Sequence, residues 1–132
     1  MSSIDISRIS GNASEEIKKY LSHPPSFFDI YAKGQLKHSF GDTIMERMDV
    51  QEISILNMAE EPSRKEGRVV CKVVIDEDML NGDANLHGGC SCFLVDMCTT
   101  FALSALSLAT ANDPLDTVSL NINTTLHSPA QK

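Results

Sequence analysis

The glycine-rich turn Leu-His-Gly-Gly at residues 86–89 comes directly before a long apolar segment and is suited to holding a negatively charged oxygen. The first amides of a helix have no partner inside the helix, and the helix dipole adds partial positive charge at that end. Gly88 and Gly89 leave this backbone open to a ligand because they have no Cβ. We therefore interpret them as a candidate oxyanion site. A helix entry that only packs closely is the open alternative.

Asp96 is the one charged residue in the apolar segment 90–110, and it lies two helical turns beyond the glycines. A carboxylate in apolar surroundings is costly unless it is paired or used, so one interpretation is that Asp96 orients a water and takes its proton. The other interpretation is a polar stripe that faces solvent. Three hydroxyl residues fall on the same narrow helix face as Asp96, namely Thr100, Ser104 and Ser107.

His87 and Asn81 each have a chemical and a structural interpretation. His87 could act as a base, but a histidine beside a glycine turn more often holds the turn by hydrogen bonds, and we favour that role. Asn81 lies six residues earlier and could hold a water or form a turn, because asparagine side chains bond to nearby backbone amides.

The cysteines favour reduced thiols over disulfides or a metal site. The chain has four of them, at positions 71, 90, 92 and 98, without a C-x-x-C pair, and its N-terminus has no apolar signal segment. The C-x-C spacing with a single nearby histidine matches no common zinc site, so we expect no metal. Reduced thiols indicate a cytoplasmic protein. A mitochondrial location is the alternative, although early acidic residues disfavour a transit peptide.

Charge and hydropathy limit the partners of this 132-residue chain, whose length fits one domain. Eighteen acidic against eleven basic residues give a net charge of −7, which repels phosphate backbones, so we expect no nucleic-acid partner. The longest segment without a charge, residues 97–112, is shorter than the ~20 residues of a membrane-spanning helix. We therefore expect no membrane span.

The pattern of apolar residues predicts the elements that must position these groups. A short helix capped by Asn12 or Ser14 follows a polar and mobile segment, residues 1–11. Residues 50–58 and 67–76 alternate as two strands of an antiparallel hairpin. Residues 90–110 form a helix that is apolar nearly all round and so is buried on most sides. Residues 117–126 alternate as a third strand. An aromatic-rich cluster, Phe27, Phe28, Ile30 and Tyr31, docks on the core.

The segments around Asn81, the His-Gly-Gly turn and Asp96 resemble the signature of hotdog-fold acyl-CoA thioesterases of the thioesterase-superfamily-member-2 or acyl-CoA thioesterase 13 type. The segment Thr-Val-Ser-Leu-Asn-Ile-Asn at 117–123, followed by Ser-Pro-Ala at 128–130, resembles the strand after that family's long helix. The resemblance runs from about Phe40 to Ala130. It implies an α+β hotdog fold, in which an antiparallel sheet wraps a long central helix. We therefore divide the chain into an N-terminal segment with short helices, 1–39, and a hotdog domain, 40–132.

The resemblance also implies the roles of the site residues in hydrolysis of fatty acyl-CoA, without cofactor or metal. Gly88 would polarise the thioester carbonyl through its N–H, with His87 and Gly89 supporting the turn. Asp96 would activate water or act as nucleophile, and Asn81 and Ser119 would position water and thioester. In this family the site lies at a dimer interface, with Asn81 and Gly88 from one subunit and Asp96 and Ser119 from the other. A homodimer or a dimer of dimers is expected.

The family continues with about three more strands after the Ser-Pro-Ala segment, whereas this sequence ends there, so the expected hotdog domain is incomplete at its C-terminus. Two other functions therefore stay open. One is a truncated and inactive subunit that acts only by association with a full-length partner. The other is a different hotdog enzyme such as a dehydratase, against which the presence of Asn81, Gly88, Asp96 and Ser119 argues.

Overall fold

The computed structural model describes residues 5–27, 35–113 and 117–131 and has an α+β architecture, with one hairpin and one long helix. In chain order the elements are α1 (Glu15–Leu21), α2 (Asp42–Glu46), β1 (Asp49–Asn57), β2 (Lys65–Lys72), a 3-10 helix (Glu77–Met79) and α3 (Gly88–Ala111). Residues 24–27 are also helical. This arrangement is compatible with part of a hotdog fold, in which a sheet packs on a long helix.

The predicted antiparallel hairpin is confirmed, with small shifts at the strand ends. β1 pairs with β2 from Asp49 opposite Lys72 to Asn57 opposite Lys65, and the register is irregular between Val50 and Glu52. The second strand begins two residues earlier than predicted and ends at Lys72, so residues 73–76 continue without a ladder. The alternation of apolar residues was sufficient to predict the pairing, because it places one face of each strand on the core.

The N-terminal segment is anchored at its end, so the prediction of a mobile segment through residue 11 is wrong there. Ile9 is buried, and Ser10 forms two backbone hydrogen bonds with β1, at 2.9 Å to the Gln51 carbonyl and 3.0 Å from the Ile53 amide. This segment covers the edge of β1 that faces away from β2. Ser14 caps α1 by accepting from the Ile17 amide, while the Asn12 side chain instead bonds to the backbone of β1.

One core joins residues from both sides of position 39. Phe101 and Ala105 of α3 are fully buried against Ile53 of β1 and against Phe27. Phe27 and Phe101 stack edge to face, with ring centroids 5.2 Å apart. The other members of the predicted aromatic cluster, Phe28, Ile30 and Tyr31, lie outside the described residues. The N-terminal helices therefore share the core of the hairpin and α3.

Helix α3 spans Gly88–Ala111, close to the predicted 90–110, but it is not buried on most sides. Val95 and Leu103 are each 41% exposed, because a two-stranded sheet covers only one side of the helix. The polar stripe does not face solvent either, since Ser104 and Ser107 are buried. By length and composition α3 could cross a membrane, a test that the core helix of a soluble protein also passes.

The predicted third strand is wrong, because residues 117–126 form no ladder within the described parts of the chain. Val118 is 80% exposed and Leu120 is 94% exposed. This segment runs beside α3 instead of joining the sheet, and Leu126 lies against Gly88. In the described ranges β2 pairs only with β1, so the outer edge of β2 has no partner strand. Alternating apolar residues predict a strand only where a neighbouring strand accepts the ladder.

Helix α3 crosses β2 so closely that no side chain fits at Gly67. A Cβ there would lie 2.1 Å from the carbonyl oxygen of Ala102, which belongs to the helix backbone and cannot move aside. We expect Gly67→Ala to lower the free energy of unfolding by about 3 kcal/mol. The matched control is Gly82→Ala, because a Cβ at that glycine would meet nothing within 4 Å. Denaturant unfolding at equal protein concentration checks this, and equal midpoints for the two variants would contradict it.

Candidate active site

His87 holds the glycine turn by capping α3. Its Nδ1 accepts a hydrogen bond from the Gly89 amide at 2.9 Å, and its backbone amide donates to the Met79 carbonyl at 2.8 Å. An Nδ1 that accepts from an amide has no free lone pair with which to take a proton. In a neutral ring the proton is therefore on Nε2. The geometry favours the structural interpretation of His87 and leaves the chemistry to other groups.

Asn81 organises the loop that precedes the turn. Its Oδ1 accepts from the backbone amides of Asp83 and Asn85 at 3.0 and 3.1 Å, and its own amide donates to the Asn85 carbonyl at 2.8 Å. These bonds close a tight loop in which Ala84 has a φ of 59°. The side-chain NH₂ of Asn81 makes no hydrogen bond within the described residues. That group is available to a ligand while the carbonyl end fixes its position.

A cleft of about 400 Å³ lies at the N-terminus of α3. Asn81 and Gly88 are part of its wall, and residues 126–130 form the opposite side. The Gly88 amide has no hydrogen-bond partner among the residues described, so it is a free donor at the positive end of a 24-residue helix. A Cβ on Gly88 would come within 3.1 Å of Leu126 Cδ1, which shows how closely that side chain covers the glycine.

Asp96 and Ser119 meet on the flank of α3. The Ser119 hydroxyl donates a short hydrogen bond to Oδ1 of Asp96, although 23 residues separate the two in sequence. The neighbouring hydroxyls of Thr99 and Thr100 donate to the Asp96 backbone carbonyl rather than to its side chain. Among the described residues, Ser119 is therefore the one group that holds the half-buried carboxylate, and Oδ2 is left to accept a further proton donor.

Asn81 with Gly88, and Asp96 with Ser119, lie in two separate places in one chain. We call these two groups the half-sites. Asp96 follows Gly88 by eight residues, which places it about 12 Å further along the helix axis. The cleft at Gly88 and Asn81 does not include Asp96 or Ser119. One thioester carbonyl cannot contact the Gly88 amide and the Asp96 carboxylate of the same chain at hydrogen-bond distance.

Cys90 is a poor candidate for a nucleophile in this cleft region. Burial raises the pKa of its thiol, Asp78 adds to the rise, and Arg47 opposes it. Arg47 is itself committed to Asp78 through two hydrogen bonds of 2.6 and 3.1 Å, which join α2 to the 3-10 helix. Since the thiolate is the reactive form of cysteine, a raised pKa weakens attack by Cys90.

The sequence pattern did not single out two polar residues of the cleft, Ser91 and His127. Ser91 lines the cleft from the first turn of α3. His127 reaches it because residues 126–130 fold back on the loop, where the Leu86 amide donates to the Ala130 carbonyl at 2.8 Å. No spacing in the sequence signals such a contact.

Comparisons with protein-family models, curated proteins and solved structures found no match to this chain. The assignment of a function therefore depends on the residues and their geometry.

Proposed function

We propose that this chain is a hotdog-type thioesterase subunit that hydrolyses fatty acyl-CoA to free fatty acid and coenzyme A. The observation that carries the proposal is the contact between Asp96 and Ser119. Asp96 was a candidate from its place in the apolar helix, and Ser119, in the segment after that helix, was implied by the resemblance. A carboxylate held by a single hydroxyl keeps an oxygen free for a water proton, which is the arrangement that a general base needs.

Each half-site supplies one part of the reaction. The Gly88 amide donates to the thioester oxygen as negative charge develops on it, and the dipole of α3 adds to that stabilisation. The free NH₂ of Asn81 orients the thioester or the water. Asp96 accepts the proton of a water that attacks the carbonyl carbon, or attacks that carbon itself to form an anhydride that water then cleaves. In either case the acyl C–S bond breaks, and coenzyme A leaves as a thiolate that takes up a proton. Ser119 fixes the carboxylate in either case.

A two-fold dimer would bring the half-sites together. The offset of about 12 Å between Gly88 and Asp96 along the helix axis prevents them from acting on one carbonyl in one chain. In a symmetric dimer the same patch of each subunit meets its copy. Gly88 of each subunit can therefore lie opposite Asp96 of the other, which forms two equivalent sites. We propose that the active form is such a dimer, or a dimer of dimers.

The direct experiment incubates the purified chain with a series of saturated acyl-CoA esters and follows the released thiol with a chromogenic disulfide. Saturable hydrolysis that increases with protein concentration and is lost in Asp96→Asn supports the proposal. A rate equal to the buffer blank for all chain lengths, from a sample shown to be folded and dimeric, would contradict it.

A second candidate function is association without catalysis, with the chain as an inactive hotdog-type subunit of a larger assembly. The observation in its favour is the apolar segment at 117–126, where Val118, Leu120 and Leu126 are all more than half exposed. Exposed apolar patches of this kind are typical of protein contact sites. Association in the absence of any hydrolysis would distinguish this function from the first.

Either function predicts that the exposed 117–126 segment drives association. We expect the chain to be oligomeric at micromolar concentration, and we expect Val118→Thr with Leu120→Asn to raise the dissociation constant at least tenfold, about 1.4 kcal/mol. The matched control is Val74→Thr with Leu36→Asn, because those two side chains are also well exposed, at 69% and 61%. Sedimentation velocity measures both. A monodisperse wild-type monomer with a sharp melt would contradict the prediction.

A further inference from the structure

Asn81 is followed by a glycine in an exposed loop, and no other asparagine of the sequence has that neighbour. The amides of Asp83 and Asn85 donate to Oδ1 of Asn81, and the amide of Ala84 donates to the Asn81 backbone carbonyl at 3.0 Å. The Gly82 amide makes no hydrogen bond within the described residues. A Cβ on Gly82 would meet nothing within 4 Å. The nitrogen of Gly82 is therefore open to react.

The hydrogen bonds of the Asn81 side chain favour attack on its Cγ. Such an attack places negative charge on Oδ1, where the amides of Asp83 and Asn85 already donate at 3.0 and 3.1 Å. Donors that are fixed around an oxygen in advance stabilise the charge that develops there. The NH₂ group on the same carbon makes no hydrogen bond within the described residues, so no contact prevents it from leaving.

The loop also favours the Gly82 nitrogen as the attacking atom. Loss of its proton spreads negative charge onto the Asn81 carbonyl oxygen, and the Ala84 amide that donates to this oxygen favours the charged form. The hydrogen bond from Asp83 to Oδ1 closes an Asx turn, which folds the Asn81 side chain back over the peptide that joins it to Gly82. Gly82 has no side chain that would hinder the approach of its nitrogen to Cγ.

We propose that Asn81 is a modification site at which the chain deamidates itself through a succinimide. Hydroxide takes the proton of the Gly82 nitrogen, and that nitrogen then attacks Cγ of Asn81. The bond from Cγ to NH₂ breaks, and ammonia leaves with a proton from water, which completes a five-membered imide ring. Water adds to either ring carbonyl and opens the ring to aspartate or isoaspartate. The net change consumes one water, releases one ammonia and needs no oxidant or reductant.

This modification would change the cleft beside Gly88, because Asn81 is part of its wall. Aspartate replaces the free NH₂ donor by a carboxylate oxygen. Isoaspartate moves the main chain onto Cγ, so the oxygen that accepts from Asp83 and Asn85 loses its place in the loop. The modification does not depend on the proposed function. The loss of acyl-CoA hydrolysis that we expect from it does rest on that function, in which this NH₂ orients the thioester or the water.

The test incubates the folded full chain at neutral pH and maps it by mass spectrometry at intervals. Cleavage before aspartates separates Asn81, on residues 78–82, from Asn85, on residues 83–95. Isoaspartate leaves 78–82 in one piece, whereas aspartate at position 81 adds a cleavage site. We expect Asn81 to deamidate at least about tenfold faster than Asn85, equivalent to about 1.4 kcal/mol of activation free energy. Asn85 is the matched control, because it belongs to the same loop but precedes Leu86, and its NH₂ donates to the Asp83 carbonyl at 3.3 Å.

Two comparisons test the role of the loop and of the Gly82 nitrogen. The rate at Asn81 in the folded chain should equal or exceed the rate in urea, because the loop promotes the attack. In Gly82→Ala the rate should fall at least about tenfold, since the new methyl group hinders the nitrogen while the loop has room for it. Circular dichroism establishes that this variant is folded.

A folded chain in which Asn81 stays an amide while the chain in urea converts would overturn the proposal. Equal rates at Asn81 and Asn85, or a wild-type rate in Gly82→Ala, would also overturn it. Hydrolysis of acyl-CoA should fall with the converted fraction in stored wild type and stay constant in stored Gly82→Ala. Conversion at position 81 in a chain that never hydrolyses acyl-CoA would support the modification site and contradict the proposed function alone.

Discussion

Replacing Asp96 by asparagine should lower kcat for acyl-CoA hydrolysis by at least about 100-fold, which is the usual effect of losing one positioned general base. The substitution keeps the size of the side chain and an oxygen that can accept from the Ser119 hydroxyl. It removes the negative charge that takes a proton from water or attacks the carbonyl. We expect KM to change much less than kcat, because the carboxylate acts on the reacting atoms and not on the coenzyme A moiety.

The control for this variant is Asp113→Asn, which makes the same change at an exposed position just beyond the end of α3. The Asp113 backbone carbonyl accepts from Ser107, and that bond does not depend on the side-chain charge. Circular dichroism and the melting temperature establish that both variants are folded. Near-wild-type kcat in folded Asp96→Asn would rule out the role assigned to this carboxylate.

Replacing Gly88 by proline should remove the oxyanion donor and leave the helix intact. We expect kcat to fall by at least about 100-fold, which is the usual effect of deleting one such donor. Gly88 is the first residue of α3, the helical position that best tolerates proline. The preceding residue, His87, has the extended conformation that proline requires of its neighbour, with φ −62° and ψ 131°. The amide N–H is therefore the main group that this substitution removes.

Gly88→Ala is the matched variant, because it also adds a Cβ but keeps the N–H. That Cβ would approach only the end of the flexible Leu126 side chain, at 3.1 Å, which can turn away. We expect kcat of Gly88→Ala to stay within a factor of about 10 of wild type, equivalent to about 1.4 kcal/mol. Equal activities of the proline and alanine variants would show that the Gly88 amide has no part in the reaction.

Local patterns were sufficient to predict the hairpin, the long helix and the capping of α1. In each case the information lies in one continuous segment: alternation in 67–72, apolar residues through 90–110, and a serine before two glutamates at 14–16. The two strands pair with each other, so neighbours in sequence were also neighbours in the sheet. Such contacts depend little on the rest of the fold.

The errors concern segments whose structure depends on distant parts of the chain. Ile9 and Ser10 are anchored because the edge of β1 is open to them, which their own polar neighbours do not signal. Residues 117–126 have the alternation of a strand but no ladder partner within the described chain. The helix face at Val95 and Leu103 is apolar but uncovered, since two strands cannot wrap it.

The same distinction applies to the candidate site. The spacing of the His-Gly-Gly turn and Asp96 along one helix fixes their separation, and the structure adds the contact of Ser119 with Asp96 across 23 residues. Sequence reasoning could not show how residues 126–130 close the cleft beside Gly88. The expectation of a shared dimer site came from the resemblance, and the distance between the half-sites gives it a physical reason.

Mixing the two inactive variants tests the shared site most directly. When Asp96→Asn and Gly88→Pro chains are unfolded together and refolded, a heterodimer contains one site with both changes and one site with neither. We expect the mixture to regain about a quarter of wild-type activity, because half of the dimers are mixed and each has one intact site. Native mass spectrometry counts the heterodimers. A mixture that contains heterodimers but is as inactive as either variant alone would contradict a site built from Gly88 of one subunit and Asp96 of the other.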